Sequence, residues 1–195
     1  MGRSPLLDAH DSLVLIVDMQ TSLMPYILRA EELVHTQRKL VGVAQRLGVP
    51  VLVTEHYKKG LGATAPEVVD LLGGEPEGNA ESSYRPIQKI SFSCMGEESF
   101  LEALEQYNRK RLVIAGIETH ICVCQTALEA AAAGFDVHVV PDAVSARHET
   151  GHHYGLEKLK RFRVELDTWE MIAYQWLRRA GTPEFKACLP FFKEA

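Results

Sequence analysis

Short apolar runs alternate with longer amphipathic segments along most of the chain. The strongest runs are LVLIVDM (13–19), VPVLVTE (49–55), RLVIAG (111–116) and DVHVVPDA (136–143), and VELDT (164–168) is a weaker one. Because the runs are continuous rather than alternating, both faces of each predicted strand should be buried, as in a parallel sheet covered by helices. The pattern therefore predicts four strands and a weaker fifth.

The segments between these runs have the spacing of amphipathic helices. Residues 30–48 place their apolar side chains on one helical face, and Gly48 followed by Pro50 should end this helix. Thr119 should cap another helix, over 119–134. Further helices are predicted over 96–108, 148–163 and 168–181, and an irregular loop over 56–90. The alternation predicts a single α/β domain over residues 1–195, with a three-layer, doubly wound open sheet, mainly parallel and covered by helices on both faces.

Polar residues that directly follow the predicted strands are the first candidates for chemistry, because ligands bind there in such sheets. Asp18 ends the first run, where a carboxylate is either a cap or loop partner or a catalytic acid. Cys122 lies at a predicted helix N-terminus, which should lower the pKa of its thiol. Cys124 points to the opposite side of that helix, and one of the two thiols should be core packing. Lys89, at the edge of an irregular loop, is by itself most simply a solvated lysine.

The segment HETGHH (148–153) contains H-E-x-x-H, a zinc-binding pattern of metalloproteases. His148 and His152 would be the metal ligands and Glu149 the general base. Gly151 interrupts the predicted helix, however, and no third ligand is marked. A polar helix start with imidazoles near the surface is the favoured interpretation.

Four segments taken together resemble the isochorismatase-like cysteine hydrolases. They are LIVDMQ (15–20), QKISFS (88–93), AGIETHICVCQTALEA (115–130) and GFDVHVVPDAVSAR (134–147), and the resemblance extends from about residue 11 to residue 180. The segment TEHYKKGLGATAPEV (54–68) is similar to the isochorismatase domain-containing subgroup, many members of which have no assigned substrate. The resemblance implies an isochorismatase-like, Rossmann-type fold.

The resemblance also implies a catalytic Asp–Lys–Cys triad, which falls on Asp18, Lys89 and Cys122. It implies a non-proline cis peptide between Ile117 and Glu118, with the backbone N–H groups of Glu118 and Cys122 forming an oxyanion hole. If 111–116 is the fourth strand, with a short third strand near 86–91, the strand order 3-2-1-4-5 makes the first and fourth strands neighbours across the switch point, where Asp18 and Cys122 would meet. The implied activity is hydrolysis through a thioester acyl-enzyme.

Two departures from the family narrow the expected substrate. Nicotinamidases of this family carry an Asp-x-His metal site after the second strand, where this chain has His56 and Lys58. We therefore expect neither a metal nor a cofactor. Cys122 favours C–N hydrolysis over cleavage of an isochorismate-like vinyl ether, which does not depend on the cysteine. Candidates for substrate binding, each equally open to a packing role, are Gln20, His56, Tyr57, Leu61, Tyr84 and Phe92.

Composition excludes several other classes of function. The 195 residues include 21 Lys+Arg and 26 Asp+Glu, and a net charge of −5 disfavours nucleic acid as a partner. No apolar run approaches the ~20 residues of a membrane span, and the first residues lack the apolar core of a secretory signal. Four cysteines without C-x-x-C spacing indicate a reduced, cytoplasmic protein.

The expected partner is a small-molecule substrate. The apolar helix that contains Trp169 and Trp176 favours a homo-oligomer, as is common in the family, although simple packing on the sheet also explains it. The main alternative function is a catalytically silent binding or scaffold protein of the same fold.

Overall fold

The sheet has six strands, with a point between its first and fourth strands at which the strand order reverses. The computed structural model describes residues 5–73, 84–162 and 164–193. The strands are β1 (Ser12–Val17), β2 (Val51–His56), β3 (Ile87–Lys89), β4 (Arg111–Ile117), β5 (Asp136–Ser145) and β6 (Glu165–Leu166). Their order is β3-β2-β1-β4-β5-β6, and each of the five pairings is parallel. The predicted parallel sheet and the predicted neighbours β1 and β4 are confirmed.

Helices cover both faces of this sheet. They are α1 (Ala30–Arg46), α2 (Lys58–Leu61), α3 (Pro66–Leu71), α4 (Glu98–Tyr107), α5 (Cys124–Ala132), α6 (Glu149–Arg161), α7 (Trp169–Leu177) and α8 (Pro183–Lys193). Among the described residues, no helix is both long and apolar enough to cross a membrane.

The continuous apolar runs are explained by two cores, one on each face of the sheet. In β1, Val14 and Ile16 belong to the core that includes residues of α1, α3 and α7. Leu13, Leu15 and Val17 belong to the core on the other face, which includes residues of α4, α5 and α6. Full burial of each aliphatic side chain contributes roughly 1.5–3 kcal/mol, so an alternating polar pattern would have forfeited one of the two cores.

Several predicted boundaries were wrong. The turn Thr119–Val123 is a π-helix, and α5 starts only at Cys124. The predicted loop 56–90 contains α2 and α3, and its residues 74–83 lie outside the described part. Residue 163, the predicted end of α6, also lies outside it. The sequence pattern missed α8 because Pro190, inside that helix, is a residue that normally breaks one.

Gly116 brings β4 unusually close to β1 at the switch point. It pairs with Val17 and has a φ of 115°. A Cβ atom at this position would lie 2.2 Å from the carbonyl oxygen of Val17 and 2.5 Å from its nitrogen. Only glycine meets both conditions, so this residue sets the spacing between the ends of β1 and β4.

Candidate active site

Asp18, Lys89 and Cys122 come from three different elements and meet at the carboxyl ends of the strands. Asp18 directly follows β1, Lys89 is the last residue of β3, and Cys122 lies in the π-helical turn after β4. Their exposed fractions are only 1%, 2% and 6%. The sheet topology therefore brings an acid, an amine and a thiol together in a nearly dry cluster.

The Asp18 carboxylate makes a different contact with each of its oxygens. Oδ1 accepts a hydrogen bond of 2.7 Å from the hydroxyl of Thr54, on β2. Oδ2 forms an ion pair of 2.7 Å with Nζ of Lys89. Lys89 also donates to the carbonyl oxygens of Ser91 (3.1 Å) and Phe92 (2.9 Å). Because a carboxylate oxygen has two lone pairs, Oδ2 can face Lys89 and still accept the proton of a nearby thiol.

The charge of Lys89 is secured by its neighbours. Burial alone would lower the pKa of this ammonium group, but the nearby Asp18, Cys122 and Cys94 raise it above its ordinary value. Lys89 therefore stays protonated and neutralises Asp18. The pair is a closed ion pair inside the protein, where loss of either partner leaves an uncompensated charge.

The expected lowering of the Cys122 thiol pKa was wrong. Burial first, and then the negative charge of Asp18, raise the pKa of Cys122 well above its ordinary range, and Lys89 opposes them only in part. The positive end of a helix is outweighed because the thiol lies in a dry turn beside a carboxylate. Cys122 is therefore a thiol at rest, within hydrogen-bonding reach of Asp18 and Lys89.

The structure distinguishes Cys122 from Cys124. Burial raises the pKa of the Cys124 thiol, and the charge of Lys158 on α6 opposes this effect only in part. Asp18 and Lys89 act on Cys122 instead. Cys122 thus faces the acid and the amine, whereas Cys124 faces the core beneath α6.

The turn that carries Cys122 is held by Glu118. The peptide between Ile117 and Glu118 is cis, as the resemblance implied. The Glu118 side chain accepts two hydrogen bonds of 3.0 Å, from Nε and from the backbone N–H of Arg147. Its carbonyl oxygen accepts the N–H groups of Ile121 (3.0 Å) and Val123 (3.3 Å). Both ends of this residue therefore fix the start of the turn.

Helix α6 packs on the same turn through two glycines. A Cβ atom on Gly155 would lie 3.0 Å from Cα of His120 and 3.1 Å from a methyl group of Thr119. A Cβ atom on Gly151 would lie 2.8 Å from the ring of His120. The glycine that interrupts HETGHH is thus a close-packing residue. The expected Thr119 cap was wrong, because its hydroxyl lies 2.9 Å from Nδ1 of His152.

The other residues of HETGHH do not converge on a metal site. His148 precedes α6 as its N-cap residue, and Glu149 is exposed in an ion pair with Arg29 at 3.1 Å. Over residues 5–73, 84–162 and 164–193, no three His, Cys, Asp or Glu side chains are placed to hold a metal ion. The arrangement gives no support to the zinc peptidase interpretation.

Three of the predicted substrate-binding residues, His56, Tyr57 and Phe92, adjoin Lys89, and a fourth, Leu61, lies in the helix that follows Tyr57. The ring of His56 packs against that of Phe92, with centroids 5.2 Å apart. Tyr57 donates its N–H to the carbonyl oxygen of Lys89 at 2.8 Å. Phe92 and Tyr57 are about half exposed, at 53% and 51%, and Leu61 is partly buried in the following helix. These side chains are placed to contact a molecule that approaches Lys89.

The other two, Gln20 and Tyr84, are occupied with internal contacts. Gln20 is fully buried; it donates to the carbonyl oxygens of His56 (3.0 Å) and Gly62 (2.7 Å) and accepts the N–H of His56 (2.8 Å). The Tyr84 hydroxyl donates to Oε1 of Glu55 at 3.0 Å. The geometry favours a role for both in holding the loop after β2 rather than in lining an open pocket.

Glu55, which sequence reasoning missed, anchors this loop. Burial would raise the pKa of its carboxyl, but hydrogen bonds from Thr64, Lys58 and Tyr84 lower it below the ordinary value. Lys58 lies 3.0 Å from Oε2 and supplies the counter-charge. The ammonium group of Lys58 therefore lies beside the Glu55 carboxylate, in the segment where nicotinamidases of the family carry their Asp-x-His metal site. Burial and the charge of Lys89 lower the pKa of the neighbouring His56.

Comparisons with known proteins identify a family for this chain. Residues 12–170 match the isochorismatase domain family. Isochorismatase domain-containing protein 2 of Rattus norvegicus is 34% identical over 186 residues, which cover 95% of this chain and 82% of the relative.

Two solved structures are also similar. The MAR1 ribonuclease of Caenorhabditis elegans has a TM-score of 0.85 at 30% identity, and the match covers 97% of this chain and 93% of that one. The YcaC gene product of Escherichia coli, an octameric hydrolase of unknown specificity, has a TM-score of 0.85 at 25% identity, with 98% and 91% covered.

Proposed function

The chain belongs to the isochorismatase domain family, and from this premise we propose that it is a cysteine-dependent hydrolase of a small amide-like substrate. A hydrolase is the class of activity that the family supports. The observation that carries the finer proposal is the buried cluster of Asp18, Lys89 and Cys122, in which a protonated thiol lies beside a carboxylate that is paired with an ammonium group.

The first half of the proposed reaction forms a thioester. Cys122 Sγ attacks the carbonyl carbon of the substrate while its proton moves to Oδ2 of Asp18. The backbone N–H groups of Glu118 and Cys122 stabilise the oxyanion that develops on the carbonyl oxygen. The C–N bond then breaks, and the proton held by Asp18 passes to the leaving nitrogen, so that an amine departs.

The second half restores the enzyme. Water attacks the thioester carbon, Asp18 accepts a proton from that water, and the acid product leaves as the C–S bond breaks. The proton on Asp18 then returns to the thiolate. Lys89 stays protonated throughout and compensates the negative charge, whether this is on Asp18 or on Cys122.

The surroundings of the cluster favour a small, uncharged acyl group. The ion pair of Asp18 with Lys89 and that of Glu55 with Lys58 are each internally neutral, so neither leaves a charge for an ionic substrate. The rings of His56 and Phe92 offer apolar and aromatic surface beside Lys89. A thiol beside a proton-accepting carboxylate supports acyl transfer, whereas cleavage of a vinyl ether does not require the thiol.

We also propose a homo-oligomer that works in a reducing, cytoplasmic compartment on a small-molecule partner. The octameric state of the YcaC gene product supports assembly of this chain. The cysteines Cys94, Cys122, Cys124 and Cys188 are all free and buried, as expected where thiols stay reduced.

Trapping an acyl adduct tests the proposed activity. The protein is incubated with a panel of small amides and carbamoyl compounds, quenched in acid, and analysed by intact and peptide mass spectrometry. We expect an adduct on Cys122 that is absent in Cys122→Ala and retained in Cys124→Ala, the matched buried thiol. Turnover that persists in Cys122→Ala would refute the nucleophile. If no member of the panel acylates Cys122 although Asp18 controls its reactivity, the amide class is wrong and the triad stands.

A further inference from the structure

A buried polar chain connects α5, the helix that directly follows the turn of the proposed nucleophile Cys122, to the carboxylate of Asp18. Thr126 lies on α5, about one helical turn beyond Cys122, and its Oγ1 accepts the backbone N–H of Cys94 at 2.9 Å. Sγ of Cys94 lies 3.9 Å from Oγ1 of Thr54. The Thr54 hydroxyl then donates to Oδ1 of Asp18 at 2.7 Å. The chain runs from α5 through the 3-10 helix Cys94–Gly96 and through β2 to Asp18, which follows β1. It does not involve the ammonium group of Lys89.

The chain is dry along its whole length. Thr54, Cys94 and Thr126 are all fully buried. A hydroxyl in the interior of a strand costs free energy unless it is hydrogen-bonded, and the residues before Thr54 in β2, Leu52 and Val53, are apolar. A hydroxyl-to-carboxylate bond of 2.7 Å has the length of a charge-assisted hydrogen bond. A polar residue at position 54 is therefore best explained by its contact with Asp18.

The direction of the donors along the chain is fixed. Thr54 has one hydroxyl proton, which it gives to Asp18, so the contact with Cys94 requires the S–H group as donor. Burial, opposed in part by Lys89, raises the pKa of Cys94 to about 11, so this residue carries its proton at neutral pH. Thr54 thus occupies Oδ1 of Asp18, and Oδ2 is the oxygen left to Lys89 and the Cys122 thiol.

We propose that Thr54 is a positioning residue that holds the Asp18 carboxylate with Oδ2 available to the Cys122 thiol, and that Cys94 and Thr126 tie this orientation to the helix of the nucleophile. The inference rests on the proposed function, because it assigns a residue to the service of the Asp18 base. Thr54 itself contacts neither substrate nor reacting sulfur in this assignment.

The test is the pH profile of Cys122 alkylation by iodoacetamide, with the adduct assigned by peptide mass spectrometry. Thr54→Val keeps the shape and removes the hydroxyl, so the carboxylate loses its fixed orientation. We expect the rate at about pH 7.5 to fall at least threefold, which corresponds to the loss of one hydrogen bond, because Asp18 keeps the charge that opposes the thiolate but is no longer aimed at the thiol. Thr54→Ser, which keeps the hydroxyl, should stay within about twofold of the wild type.

Thr64→Val is the matched control. Thr64 is also buried, and its hydroxyl bonds a carboxylate, Oε1 of Glu55, at 3.1 Å. Its variant should lose stability in urea unfolding and leave the alkylation profile unchanged. A general loosening of the fold would instead move the profile of both valine variants, and that result would overturn the assignment of Thr54.

Thr126 tests the link to the helix. Thr126→Val leaves the N–H of Cys94 without its acceptor, so we expect a smaller displacement of the profile in the same direction as in Thr54→Val, with rescue by Thr126→Ser. If Thr126→Val shows the wild-type alkylation profile, the proposed link between α5 and Asp18 is wrong. If Thr54→Val shows the wild-type profile, the whole proposal is wrong. If Asp18→Asn itself leaves the profile unchanged, the proposed triad fails as well. If only Asp18→Asn moves it, the triad stands and the positioning role falls.

Discussion

Replacing Asp18 by Asn is expected to make Cys122 more reactive toward a small alkylating agent and to abolish hydrolysis. The side chain keeps its size, and its oxygen can still accept the hydrogen bond of Thr54. The negative charge that raises the pKa of Cys122 disappears, and Lys89 is left as an unopposed cation beside the sulfur. The thiolate is thereby stabilised while its proton acceptor is lost.

The size of the effect follows from the charges. Two unit charges about 4 Å apart interact by about 4 kcal/mol at an effective dielectric constant near 20. At 1.36 kcal/mol per factor of ten, this is roughly a thousandfold in thiolate population at fixed pH. A more stable thiolate is also a weaker nucleophile, with a Brønsted coefficient of about 0.4–0.5, which cancels roughly a factor of 20 to 30. We expect a net acceleration of about thirtyfold.

The assay is the iodoacetamide rate of Cys122 between about pH 6 and pH 10, measured beside turnover of any amide that acylates this residue. Turnover should fall by about 10²–10⁴, the usual contribution of a positioned acid or base. Asp142→Asn serves as the control. Asp142 lies on β5, away from the cluster, and accepts the backbone N–H of Trp169, so its replacement should change neither rate. An Asp18→Asn enzyme that alkylates no faster than the wild type would refute the electrostatic argument.

The remaining predictions concern stability and packing. Lys89→Met should lower the free energy of unfolding by about 3–5 kcal/mol in urea, because it leaves Asp18 buried without a partner, and the double variant Lys89→Met/Asp18→Asn should recover most of the loss. Gly155→Ala should destabilise the protein by roughly 1–3 kcal/mol and slow Cys122 alkylation, because its Cβ would meet the backbone of His120. In Gly151→Ala, the control, the Cβ meets only the movable His120 ring, so this variant should be neutral or stabilising. Folding lowers the pKa of the Glu55 carboxyl. The contribution of Glu55 to stability is therefore present above the ordinary glutamate pKa and is lost as the pH falls through the folded value. Glu55→Gln should flatten this acid limb when the free energy of unfolding is measured against pH.

The sequence pattern could predict the sheet because each long strand is buried on both faces, and such strands are continuous apolar runs. The short strand β3 carries almost no pattern in its three residues, and it was predicted only as the third strand near 86–91 that the strand order required. The pattern missed α8, whose internal Pro190 conceals it. Boundaries near position 119 failed because the turn there is a π-helix, and the 3.6-residue spacing assumed for an α-helix does not apply to it.

The site could be predicted in its members and not in its electrostatics. Position after a strand selected Asp18 and Cys122, but helix geometry alone left the choice between Cys122 and Cys124 open. The pKa of Cys122 had the wrong sign because burial and a neighbouring carboxylate are tertiary effects that a local helix argument omits. Thr54 was missed for a related reason: a hydroxyl that follows the apolar half of a strand becomes informative only once its partner is known.

The raised thiol pKa distinguishes the proposed reaction from one that starts with a preformed thiolate. At rest the cluster holds one negative charge on Asp18, one positive charge on Lys89 and a neutral Cys122. Releasing the thiol proton to water would leave a second anion in a dry site, which costs several kcal/mol. Moving that proton to Asp18 keeps the total charge constant, so the thiolate forms only as the proton is transferred during attack. A buried neutral thiol also reacts slowly with oxidants, and in the proposed reaction this would protect Cys122 between turnovers.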